Sequence, residues 1–85
     1  MPRSVFTDAY AAFRAALVEA RKSEGVTQAD LADQLGVPQQ FISKCERGDR
    51  RVDLIEFVAI ARALRLDPKD LFARVLKQLP RNYDI

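Results

Sequence analysis

The chain contains no histidine and a single cysteine, Cys45. One cysteine excludes an intramolecular disulfide framework, and the lack of imidazole removes most metal sites and most general-base chemistry. Net charge is also scarce: 14 Lys and Arg stand against 12 Asp and Glu, a formal +2. The overall balance therefore argues only weakly for nucleic acid. No apolar run is long enough to cross a membrane, and the N-terminal MPRSVFTDAY lacks the apolar segment of a secretory signal. Gly-rich phosphate cradles, internal repeats and low-complexity tracts are missing. Ser43 and Lys44 are adjacent, but neighbours on a helix point about 100° apart and form no dyad. Cys45 has no imidazole partner and reads as a small core residue. The chain is thus expected not to be an enzyme, and to need no metal, cofactor or membrane. A cytoplasmic protein is the default.

What remains is one domain of 85 residues, 48% hydrophobic, near the lower size limit for an unaided core. Residues 27–48, TQADLADQLGVPQQFISKCERG, organise it. Thr27 is a good N-cap and Asp30 puts a carboxylate in the first turn. Leu31, Ala32 and Leu35 then share one face of a short helix. Gly36 follows where a helix end wants positive φ, and Val37 can fold back onto the apolar face. Pro38 suits the first position of a second helix, over residues 38–47. Ile42 and Cys45 point inward there, leaving Gln39, Gln40, Ser43, Lys44 and Arg47 outside. This is a helix-turn-helix whose outer face carries amides, a hydroxyl and cations. Such a face suits base edges and phosphates. Cations also concentrate here, with Lys44, Arg47, Arg50 and Arg51 at the end of the second helix and in the loop beyond it.

The flanks supply support. Residues 1–6 read as an N-terminal arm. Thr7 can cap a helix over residues 8–23, with Tyr10, Phe13, Leu17 and Ala20 as one stripe. Asp53 and Glu56 start another helix, whose inner face is Leu54, Phe57, Ile60, Ala61 and Leu64. Asp67, Pro68 and Asp70 open the last one. Its stripe of Leu71, Phe72, Val75, Leu76 and Leu79 is wide for a terminal helix. Leu71, Val75 and Phe72 are assigned to the core, and Leu76 and Leu79 to a two-fold contact. Pro80 ends it, and residues 80–85 form a loose tail. The expected fold is all-α, a compact bundle of about five helices, with the domain proper at residues 7–79.

The spacing Thr27-Gln28, Leu31-Ala32, Leu35-Gly36-Val37, Gln39-Gln40, Ile42-Ser43-Lys44, Glu46-Arg47-Gly48 resembles the DNA-binding domain of lambda-type repressors and Cro-like regulators, the XRE family. The resemblance covers about residues 10–66. It departs at Pro38, where the family often carries Ser or Thr, and at Cys45, where a larger apolar residue is usual. It implies a lambda-repressor-like fold and a small transcriptional regulator, repressor, Cro-like or controller-like, binding specific duplex DNA as a homodimer. Gln39, Gln40 and Lys44 would read bases in the major groove with Ser43 assisting. Gln28 would hold a phosphate, joined by Arg47, Arg50 and Arg51. Arg21 would pair with Glu46, clamping the first helix to the recognition helix. The competing class is a protein-interaction module, such as an antitoxin or coactivator-like helix-turn-helix domain. Salt-dependent binding to duplex DNA discriminates the two.

Overall fold

The computed structural model describes residues 2–83, with side chains from Asp8 onward; Met1, Asp84 and Ile85 lie outside the described residues. These residues form five α-helices and no strand: α1 (Pro2–Ser23), α2 (Gln28–Leu35), α3 (Gln39–Arg47), α4 (Leu54–Ala63) and α5 (Pro68–Gln78). The all-α bundle expected from the sequence is what forms. Its first helix begins earlier than expected. The backbone is already helical at Pro2, so residues 2–6 belong to α1 instead of an arm, and Thr7 lies within the helix. Proline at the first helical position leaves no amide unpaired, and no further Gly or Pro interrupts the chain before Gly25.

The helix ends follow local chemistry. Thr27 Oγ1 accepts from the Asp30 N–H at 3.0 Å while the Asp30 carboxylate accepts from the Thr27 N–H at 3.4 Å. Gly36 takes φ 70°, and the Val37 N–H donates back to the Ala32 carbonyl. Pro38 is the N-cap of α3, not its first helical residue, so the recognition helix starts one residue later than expected. Asp53 and Glu56 make a second reciprocal cap on α4. Asp67 caps α5, with Pro68 at its start and Asp70 in its first turn.

α1 packs on α3 and α5, α2 on α3 and α4, and α4 on α5. Ile42, Leu64 and Leu71 are fully enclosed at the centre of these contacts. Two assignments fail at the edge of the core. Leu54 is 72% exposed, because a residue opening a helix leans back past the edge of the packed face. Phe72 is 51% exposed; it follows Leu71, which takes the inward direction, and meets Phe57 edge-on at 6.4 Å. Beyond α5, Tyr83 lines an apolar groove with residues of α1, α4 and α5. Leu76 is exposed, whereas Leu79 is half-buried against the core.

Candidate nucleic-acid interface

The position of α3 is set by a polar network that begins in α1. Arg21, in the last turn of α1, is buried. Its Nε donates to Glu46 Oε2 at 2.6 Å and its Nη2 to Glu46 Oε1 at 3.0 Å. Nη1 donates to the Val26 carbonyl at 2.8 Å, which ties the pair to the turn before α2. Gln28 Nε2 adds a bond to Glu46 Oε1 at 2.8 Å. Gln28 Oε1 accepts from Ser43 Oγ at 2.8 Å and, more loosely, from Gln39 Nε2 at 3.5 Å. Arg14 Nη1 donates to the Glu46 backbone carbonyl at 2.8 Å. Two side chains of opposite charge, only 9% and 14% exposed, are thus paired with each other and hydrogen-bonded further, the condition for tolerating them there. A helix held at one carboxylate from α1 and α2 cannot roll about its axis without breaking several of these bonds.

That fixed roll decides what faces out. Ile42 and Cys45 are buried; Gln39, Gln40, Lys44 and Arg47 are exposed, and Ser43 is half-buried. Burial pushes the Cys45 thiol above its ordinary range, so it stays protonated and apolar. α3 ends at Gly48, whose φ of 87° disfavours any side chain, and an added Cβ would sit 2.8 Å from Arg14 Nε.

The loop after α3 has its own clamp. Arg50 donates from Nη1 to Glu56 Oε1 at 2.9 Å and from Nη2 to Glu56 Oε2 at 2.8 Å. Its guanidinium lies 4.2 Å from the centroid of the Phe41 ring. The Arg50 hydrogen bonds hold the Glu56 carboxyl below the usual carboxylate range, helped by the Asp53 N–H. Arg51 lies over the Tyr10 ring at 4.5 Å, and the Tyr10 phenol oxygen accepts from the Val52 N–H at 3.0 Å. Arg47 makes an exposed contact, Nε to Asp49 Oδ2 at 3.1 Å.

A helix-turn-helix family model, HTH_3, matches residues 17–71, which contain α2, α3 and α4 whole. The chain belongs to the XRE family of helix-turn-helix proteins. An XRE-family like protein from Pseudomonas syringae pv. tomato str. DC3000 is 38% identical, with a TM-score of 0.80 over 92% of this chain and 95% of that one. The clp gene regulator ClgR from C. glutamicum is 26% identical, with a TM-score of 0.75 over 87% and 96% of the two chains. The restriction-modification controller protein C.AhdI from Aeromonas hydrophila is 33% identical, with a TM-score of 0.66 over 74% and 96%. Among curated protein sequences none matches. As an XRE-family protein the chain is a DNA-binding transcription regulator by class.

On this XRE-family frame the predicted residues separate into two groups. Gln39, Gln40, Lys44 and Arg47 share the exposed side of α3, and Arg51 follows in the loop. Gln28, Ser43 and Arg50 are held by side-chain hydrogen bonds within the chain, while Arg47 meets Asp49 at the surface and Arg51 lies over Tyr10. The Arg50–Glu56 clamp went unread in the sequence. Phe41, over which the Arg50 guanidinium lies, packs partly against the core from the edge of α3. The two departures at Pro38 and Cys45 are accommodated: α3 has no side-chain cap bond, and the small thiol is buried.

Proposed function

We propose that the chain binds specific duplex DNA in the cytoplasm as a homodimer, each copy laying α3 in the major groove, and acts as a small repressor-, Cro- or controller-like regulator. The observation that carries this reading is the held α3 itself. Its roll is fixed by the Arg21–Glu46–Gln28 network, and the side it leaves exposed carries Gln39, Gln40, Lys44 and Arg47. A glutamine amide offers a donor and an acceptor together, matching N6 and N7 of adenine. Lys44 suits guanine O6 and N7 or a nearby phosphate. Ser43 assists through Gln28, which its hydroxyl helps to orient. Arg47 and Arg51 take phosphates. Gln28 keeps a second amide hydrogen for a phosphate at the N-terminus of α2. Arg50 holds the loop that presents Arg51. Similarity to a controller protein and to a clp gene regulator supports the regulatory reading.

Equilibrium binding to a random-sequence duplex across a salt series tests it. The logarithm of affinity should fall linearly with the logarithm of salt. Arg47→Ala and Arg51→Ala should each lower that slope by about 0.9. A chain that binds no duplex at low salt, or binds without salt dependence, is the protein-interaction module instead.

A further inference from the structure

Two hollows meet at Leu79 and Tyr83, which line both, just past the end of α5. One is the apolar groove, about 370 Å³, whose lining includes Tyr10, Phe13, Phe57 and Phe72. That volume falls in the range of about 300–1,000 Å³ typical of small-molecule sites. Among the described residues that line it, Asp53 alone is charged, and its Oδ1 already accepts from the Glu56 N–H at 2.8 Å. The second hollow adds Leu76, Pro80 and two cations, Lys77 and Arg81. Both cations are exposed, and neither has a hydrogen bond or an ion pair among the described residues. An aromatic wall without a cation thus adjoins two cations without a counter-charge.

We infer that the two hollows form one site for a small aromatic monoanion, with its rings in the groove and its carboxylate or sulfonate beside Lys77 and Arg81. Aromatic walls accept flat rings edge-on or offset. A charged oxygen beside Lys and Arg makes the stronger class of hydrogen bond. Asp53 sets the direction, since an anion at the start of α4 would meet a carboxylate, and one past the end of α5 meets two cations. A neutral apolar molecule would leave those cations unused, and a chain of phosphates could not use the groove. The Tyr10 ring also lies beneath Arg51, and its oxygen holds the Val52 N–H. A ligand packed on Tyr10 therefore bears on the loop that presents Arg51. Control of DNA binding by such a ligand rests on the duplex-binding reading above, whereas the site itself does not.

Titration of the full chain, dilute and without DNA, tests the site. The probes are 8-anilinonaphthalene-1-sulfonate and N-phenyl-1-naphthylamine, the same rings without the sulfonate; both brighten in apolar surroundings. The sulfonate should bind saturably, one per chain, about 10-fold more tightly than the neutral probe. Lys77→Gln combined with Arg81→Gln should erase that preference and leave the neutral probe's affinity unchanged. Phe72→Ala, at a half-exposed position of the wall, should weaken both probes, with helical circular dichroism retained in every variant. No saturable binding, equal affinities in wild type, a preference that survives loss of both cations, or indifference to Phe72→Ala overturns the site. Binding that disappears as sedimentation shows the chain self-associating also overturns it, because a second copy then fills the groove. None of these results touches the duplex-binding reading, which is decided on DNA.

Discussion

Glu46 accepts from Arg21, Gln28 and, through its backbone carbonyl, Arg14. Removing Arg21 leaves a largely enclosed carboxylate without its counter-charge. Arg21→Met should therefore lower the unfolding free energy by about 3 kcal/mol. A double-mutant cycle with Glu46→Gln should give a coupling of at least about 1 kcal/mol, and zero coupling in denaturant titrations would contradict the clamp. Glu56 offers a pH-dependent case. Its folded carboxyl sits below the ordinary range, so the unfolded chain binds the proton more tightly. The stabilisation is complete above the ordinary glutamate value of about 4.3 and is lost as pH falls below it. Glu56→Gln, which can still accept at the cap, should lose less of its thermal midpoint than wild type between neutral pH and that range. Equal losses would mean that Arg50 does not hold Glu56. The Arg21–Glu46 pair was legible through the family resemblance, because both residues occupy fixed places in its spacing. The Arg50–Glu56 pair was not, because nothing local in a sequence says which way a loop arginine turns.

At the scale of the element, legibility tracks the range of the interaction. Thr27, Asp53 and Asp67 cap amides two or three residues away, and each was readable from the chain. The start of α1 was not, since Pro2 and Thr7 both satisfy the local rules and only one can open the helix. The end of α4 gives no local signal either. Arg65 takes φ 61°, a left-handed conformation that glycine adopts without strain. Arg65→Gly should raise stability by about 0.5–1 kcal/mol, with the glycine's greater unfolded-state entropy offsetting part of the relief. Gly48→Ala should act in the opposite sense, by about 1–2 kcal/mol, because it adds backbone strain and presses a methyl group on Arg14. Chemical denaturation of the two variants checks both signs; agreement in sign between them would refute the backbone account.

The whole molecule is a small core spent mainly on holding one helix still. Leu31, Ala32 and Ile42 pack the α2–α3 unit against Leu17, Ala20 and Ile60, and the polar network fixes the remaining rotation. Periodicity found these inner residues because they repeat along each helix. It misjudged Leu54 and Phe72, whose exposure depends on where neighbouring helices stop. Those misjudged residues border the groove, which is why no sequence stripe revealed it. The outer side of α3 is proposed to read base sequence. Selection of bound duplexes from a random pool, by wild type and by Gln39→Ala and Gln40→Ala, is the measurement that decides this. Wild type should yield an inverted repeat with half-site centres about 10 base pairs apart. Each variant should lose preference at its own position in both halves, by about 1–3 kcal/mol of discrimination per lost bidentate contact. No consensus for wild type, or one consensus shared unchanged by all three proteins, would contradict the claim.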